Sequence, residues 1–259
     1  MTVLAVTNVG KRFGGVQALQ GVNFSVANGE IYGLIGPNGA GKTTMFNIVS
    51  GFVEPDDGSI EYEGARIEAM PPHRRARLGI ARTFQHVQLI REATVLENVM
   101  VGAHLRGRCG IAAAISRLPF QRNEERRLME YAQEALDRAG VGELASARVA
   151  DLAYGQQRAV EVARAIAMSP RLLLLDEPAA GLNDAETATL GELIKRIRDG
   201  GVSVLLVEHA MALVMGICDR ITVLDFGRKI AEGTPDEIRE DPEVIKAYLG
   251  SADEEGANA

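Results

Sequence analysis

The sequence has 259 residues, 46% hydrophobic and 24% charged, which suits one globular unit with a large core and room for a second lobe. Its formal net charge of −7, with Lys and Arg scattered, offers no basic block able to neutralise a run of phosphates, so nucleic acid is not expected as the main partner. Cys109 and Cys218 are the only cysteines and have no second Cys or His at metal-ligand spacing, and no apolar run approaches the ~18 residues of a membrane span.

The opening MTVLAVTNVGKRF lacks the apolar stretch of a secretory signal, so a soluble chain in a reducing cytosol is expected, free to sit on a membrane protein. Short apolar segments at 3–9, 22–26, 31–35 and 59–62, broken by Gly, Asn and Asp, predict a strand-rich first section. Residues 94–144 switch to helical periodicity, with Leu128, Ala132, Ala135 and Leu136 on one face, and predict a helical lobe. Within it, 104–123 lacks firm periodicity and reads as a long solvated connection.

After Asp151 the pattern alternates: helix 155–167, strand 171–175, helix 185–198, strand 202–207. Such alternation predicts a parallel sheet covered by helices. Strands at 220–225 and 228–231 flank a turn at Phe226-Gly227, a short helix ends near Tyr248, and the tail SADEEGANA is expected to be disordered.

The apolar strand at 31–35 runs into GPNGAGKTT, which satisfies Gly-x4-Gly-Lys-[Ser/Thr] at Gly36, Gly41, Lys42 and Thr43. Gly39 and Gly41 allow a turn in which the loop of Gly36, Pro37, Asn38, Gly39, Ala40 and Gly41 surrounds phosphates with its successive N–H groups, Pro37 having none, and the helix after it adds its positive end. Lys42 then reaches the β- and γ-phosphates, Thr43 supplies a hard oxygen for Mg²⁺, and Thr44 donates to the α-phosphate.

The leucine run 172–175 ends in Asp176-Glu177-Pro178, placing two carboxyl groups at the carboxyl edge of the sheet, where α/β folds bind ligands. Asp176 would hold Mg²⁺ through water, and Glu177 would orient or deprotonate an attacking water. Together with the glycine loop this predicts ATP binding and hydrolysis.

Between these motifs lies LAYGQQR at 152–158, followed by AVEVARAIAMSP, which resembles the signature segment of ATP-binding cassette (ABC) proteins. Further parts of that pattern occur in order: Phe13, Gln85 in ArgThrPheGln, Gly181-Leu182-Asn183, and His209 after ValLeuLeuValGlu. The resemblance covers essentially the whole chain. It implies an α/β P-loop NTPase core with an antiparallel β subdomain and a helical subdomain: catalytic core at 1–86 and 160–235, helical subdomain at 87–159, and a C-terminal helix with flexible tail at 236–259.

It further implies a head-to-tail dimer, with ATP between one phosphate loop and the other subunit's signature, Leu152, Ala153, Tyr154, Gly155 and Gln156. Phe13 would stack on adenine, Gln85 would touch Mg²⁺ or the water, and His209 would contact the γ-phosphate. The sequence departs from the usual Leu-Ser-Gly-Gly-Gln: Ala153 replaces the serine and Tyr154 the first glycine. The serine contact is lost, while the helix N-terminus still favours an anion. Asn183 stands where a D-loop aspartate is usual.

AspPheGly at Asp225 to Gly227 echoes a kinase metal motif, but no kinase loops accompany it, so a hairpin turn is expected. His73, His86 and His104 have no partners at metal spacing and read as surface or loop residues.

ArgThrPheGlnHisVal, LeuAlaTyrGlyGlnGlnArg, GluProAlaAlaGlyLeuAsn and AlaTyrLeuGly together resemble the branched-chain amino acid importer ATPases of bacteria. That implies two transmembrane permeases docking near 85–92, a second cassette (identical or related), an indirect substrate-binding protein, and a place on the cytoplasmic face of the inner membrane. Urea or amide importers, the lipopolysaccharide export ATPase, and non-transport ABC ATPases of DNA repair or translation are the alternatives.

Overall fold

The computed structural model describes residues 1–85, 87–104 and 119–248, with backbone alone at 119–123. Thr2–Phe13 (β1) and Val16–Ala27 (β2) form an antiparallel hairpin that turns at Gly14-Gly15. Asp57–Tyr62 (β4) pairs with β1, and the two-residue Ala65–Arg66 (β5) closes this sheet in the order β2-β1-β4-β5. The segment expected at 3–9 lies in the first part of β1 and that at 22–26 in the last part of β2, so both hairpin strands run longer than expected.

A second sheet has the order β10-β9-β3-β8-β7-β6. It comprises Ile31–Ile35 (β3), Ile80–Arg82 (β6), Leu172–Asp176 (β7), Ser203–Val207 (β8), Arg220–Asp225 (β9) and Arg228–Gly233 (β10). Only β10 runs antiparallel to its neighbour. Successive strand residues face opposite sides. Leu173 and Leu175 therefore enter one core while Leu172 and Leu174 enter another, which explains the unbroken leucine run.

One core lies between this sheet, the antiparallel sheet and Lys42–Ser50 (α1). Helix α1 stops at Gly51, and the buried Arg75 of Pro72–Leu78 (α2) donates to the Ile48 and Val49 carbonyls at 2.6 and 2.8 Å, at the helix's negative end.

The other core joins the opposite sheet face to Val95–Ala103 (α3), Pro119–Ala139 (α4), Tyr154–Ile166 (α5), Asp184–Asp199 (α6) and Met211–Ile217 (α7). Helices α3, α4 and α5 pack on one another; α3 and α4 fall within the 94–144 stretch of helical periodicity, and α5 is the helix expected at 155–167. At Gly102 a Cβ would come within 2.0 Å of the Arg164 carbonyl oxygen, so only glycine permits this approach of α3 to α5. Pro235–Glu240 (α8) and a helix at 242–248 end the described chain.

Helices α2 and α7, seven residues each, were not anticipated, because so short a segment carries fewer than two full turns of periodicity. Cys218 is buried, and burial pushes its thiol up to about 12, which leaves it inert. His73 and His104 are exposed. Cys109, His86, most of the 104–123 connection and the 251–259 tail lie outside the described residues.

Candidate active site

Strand β3 delivers the chain to Gly36 beneath β9. Gly36 has φ +150°, and a Cβ there would lie 2.0 Å from the Leu224 carbonyl oxygen. The loop continues through Gly39 and Gly41, at φ +78° and +102°, into α1. The buried Lys42 ammonium folds back to donate to the Gly36 and Pro37 carbonyls at 2.7 and 2.8 Å. Burial lowers its pKa and the Glu177 carboxylate opposes the shift. The lysine is thus parked on backbone oxygens within its own loop, a partnership that an anion's oxygens can replace.

A cleft of about 450 Å³ opens beside the loop, lined by Val16, Gln17, Gln20, Lys42, Thr43 and Phe226 among others. Phe13 is not part of that lining; it ends β1, about half exposed, with the Lys11 ammonium 5.5 Å from its ring centre. Phe226 is the aromatic that faces the cleft. The Asp225 to Gly227 segment is the β9–β10 turn, with φ +41° at Phe226 and +77° at Gly227, and the Gly227 amide donates to the Ala40 carbonyl at 3.0 Å. The turn expected from sequence thus also braces the phosphate loop.

At the end of β7, Asp176 is buried and its Oδ2 accepts from Arg82 Nη2 at 3.0 Å. Burial raises its pKa and the Arg82 charge counters part of that. The next residue, Glu177, has φ +44°, a rare backbone state for a side chain with a Cβ, of the kind that concentrates at functional sites. Its amide donates to the Val207 carbonyl at 2.8 Å, which fixes the strained turn to β8. The carboxylate is then gripped on both oxygens: Gln85 Nε2 donates to Oε2 at 2.9 Å, and His209 Nε2 lies 3.1 Å from Oε1.

The LAYGQ segment forms the start of α5. Ala153 occupies the N-cap without a side chain able to cap, and Gln156 Oε1 accepts from the Ala153 amide at 3.0 Å. The Tyr154 ring lies against Gly181, where a Cβ would sit 3.1 Å from the ring, and its hydroxyl accepts from Arg158 Nη2 at 3.1 Å. Asn183 caps α6: its Oδ1 accepts from the Glu186 amide at 3.0 Å and its own amide donates to Glu186 Oε2 at 3.0 Å. Leu182 is half-buried. The structure thus brings 152–156 and 181–183 into contact within one chain.

The sequence matches the ABC transporter family over residues 19–180 and, over 228–254, the branched-chain amino acid ATP-binding cassette transporter family. The chain belongs to the ATP-binding cassette family of ATPases. It is 47% identical over 251 residues to the high-affinity branched-chain amino acid transport ATP-binding protein BraF of Pseudomonas aeruginosa, spanning 96% of this chain and 98% of that one. LivG of Escherichia coli K12, with the same description, is 45% identical over the same shares. The lipopolysaccharide export ATP-binding protein LptB of that organism is 35% identical over 96% and 98%. Among solved structures, an ABC transporter cassette in its ADP conformation aligns with TM-score 0.85 at 31% identity, covering 96% and 99%. A bacterial cassette with a dimeric structure aligns with TM-score 0.74 at 26% identity, covering 90% and 98%.

Several residues that hold this cassette's site together escaped the sequence reading. Glu208, buried beside His209, accepts from the Ala179, His209 and Ala210 amides at 2.7, 2.6 and 2.9 Å. It ties the segment after Glu177 to the His209 loop. Arg158 and Glu161 form a fully buried ion pair at 2.8 Å. Arg158 also donates to the Phe84 and Gln85 carbonyls at 3.1 and 3.0 Å, and Glu161 accepts from the Phe84 amide at 3.3 Å. The i,i+3 spacing of Arg158 and Glu161 was a visible signal; nothing in the sequence marks which loop they seize.

Proposed function

We propose that this cassette is the ATP-hydrolysing subunit of a branched-chain amino acid importer, working through two transmembrane permeases. The observation that carries the ATPase chemistry is Glu177, held between Gln85 and His209 at the sheet edge that also bears the phosphate loop. The similarity to BraF and LivG and the C-terminal family match at 228–254 support the cargo class.

In this reading Lys42 leaves the Gly36 and Pro37 carbonyls for the β- and γ-phosphates, and the N–H groups of 38–44 bind the remaining oxygens, with Thr44 on the α-phosphate. Phe13, at the end of β1 outside the lining of the phosphate-loop cleft, stacks on adenine, and Phe226 borders the cleft itself. Glu177 orients the attacking water and accepts its proton, while His209, released from Glu177, contacts the γ-phosphate.

Among the described residues there is no group of three or more His, Cys, Asp or Glu able to hold a metal alone. The residues present nonetheless fit Mg²⁺ bound with the phosphates. Thr43 offers a hydroxyl, Gln85 has its amide oxygen remaining beyond the Glu177 bond, and Asp176 has Oδ1 remaining beyond the Arg82 bond, all hard oxygen donors. Held by these residues, the ion would neutralise phosphate charge.

A second cassette, identical or related, would close the site with Leu152 to Gln156. Ala153 brings no hydroxyl, so the α5 N-terminal amides make that contact. Among the described residues no helix is long and apolar enough to cross a membrane, and the reading assigns the permeation path to the permeases. The 87–159 lobe would meet them at the cytoplasmic face of the inner membrane, with a substrate-binding protein acting on the far side and no role for nucleic acid.

The test is isolation of the native complex and ATP-driven uptake in vesicles of leucine against urea. Leucine uptake that needs ATP supports the reading. Urea uptake moves the cargo, and co-purification with ribosomes in place of membrane chains sinks transport.

A further inference from the structure

Arg82 occupies a position that no part of this reading uses. It ends β6, three residues before Gln85, and its guanidinium is largely buried. Nη2 bonds Asp176 Oδ2 at 3.0 Å, while Nη1 donates to Asn47 Oδ1 at 2.8 Å and Ser50 Oγ at 2.7 Å. The guanidinium is also framed by three rings, with centres 4.7 Å away at Phe46, 5.1 Å at Phe52 and 5.5 Å at Phe84. One cation therefore spans three elements: the last turns of the helix that begins at Lys42, the strand that ends in Asp176, and the segment leading to Gln85.

We propose that Arg82 is a positioning residue that holds Asp176 through Oδ2 and turns Oδ1 toward the metal held with the nucleotide. The argument is geometric. A carboxylate on a buried strand end can rotate about its last bond, and a fork whose Nη1 is fixed by two acceptors on α1 sets the plane and position from which Nη2 donates to Oδ2. Partners that orient a metal-shell ligand commonly change metal affinity about 10–100-fold when removed.

The rings extend the reach of this device. Phe46 is buried, but Phe52 is 56% and Phe84 40% exposed, so two walls of the guanidinium's box lie on the surface. A change at Phe84 should reach Asp176 through the cation that both touch.

The inference rests on the proposed role of Asp176 in Mg²⁺ binding, and the experiment separates the two. The readout is Mn²⁺ affinity by electron paramagnetic resonance in the presence of a non-hydrolysable ATP analogue, beside the analogue's own affinity in EDTA. Arg82→Met should weaken Mn²⁺ about 10-fold or more and leave metal-free nucleotide affinity within about 2-fold. Arg82→Lys, which keeps the charge without the fork, should recover part of the loss. Phe84→Leu keeps Arg82 and should shift Mn²⁺ affinity in the same direction by a smaller factor; it serves as the test should Arg82→Met fail to fold. Loss of Mn²⁺ affinity in Asp176→Asn with none in Arg82→Met, or in Phe84→Leu where it stands in, overturns the role of Arg82 alone. Unchanged Mn²⁺ affinity in Asp176→Asn overturns the metal reading beneath it. Equal weakening of nucleotide with and without metal would show that Arg82 only supports the fold.

Discussion

The Gln85 side-chain amide donates to Glu177 Oε2 at 2.9 Å. The bond links Gln85, the third residue beyond β6, to the residue after β7, and it ties the segment that leads into the helices beyond to the carboxylate proposed to handle water. Any ligand that draws Glu177 or Gln85 away must break it, and the Gln85 backbone is itself held by Arg158 of the α5 helix. Gln85 thus joins the carboxylate, through its side chain, to the helix that begins with the signature segment, through its backbone.

Glu177→Gln should retain ATP binding and lose steady-state hydrolysis by about 10²–10⁴-fold, the usual contribution of a general base. The amide preserves size and still meets Gln85 and His209, so the loss belongs to the proton acceptor. Phosphate release in steady state and calorimetric ATP binding check it together. Turnover near the wild-type rate removes Glu177 from the role.

Lys42→Ala should weaken ATP binding by roughly 10–100-fold, from loss of a charged hydrogen-bond donor of about 1.5–3 kcal/mol. The Gly36 and Pro37 carbonyls lose their donor in the same substitution, so a modest fall in melting temperature should accompany it. Unchanged ATP affinity by calorimetry contradicts the phosphate-loop assignment.

Much of this was legible in the sequence because the informative segments are local. A strand, a glycine loop and a helix in succession, or four leucines before two carboxyl groups, carry their meaning within about ten residues. The alternation after Asp151 likewise gave a parallel sheet, since a strand buried on both faces has to be apolar throughout. What was not legible depends on long-range contacts. Arg82 reads as a polar residue at a strand end, and only its distance to Asp176, 94 positions away, reveals a clamp. Phe226 read as the middle of a turn, and the fold alone shows that this turn borders the phosphate cleft.

Glu208→Gln should cost about 2 kcal/mol of stability and lower hydrolysis as well. One carboxylate accepts three backbone amides, and an amide side chain replaces one acceptor oxygen with a donor facing them. The His209 loop and the segment after Glu177 would then separate, so turnover should fall further than ATP affinity does. Denaturant midpoints and steady-state kinetics measure the two parts. A stable variant with wild-type turnover would show that the three bonds do not position His209.

Arg158→Met should destabilise the fold by about 3–5 kcal/mol, because Glu161 is left as a buried charge without its partner. The double variant Arg158→Met/Glu161→Leu removes that charge and should recover part of the loss. Recovery should be incomplete: the Phe84 and Gln85 carbonyls lose their donors in both variants, at a cost of about 1–3 kcal/mol. Hydrolysis should stay impaired in the double variant even where its stability returns, since Gln85 is no longer anchored to the helix of Tyr154. Urea denaturation of the two variants, read beside their turnover, separates charge burial from loop anchoring. A double variant as unstable as the single one would mean that the unpaired charge is not what costs stability.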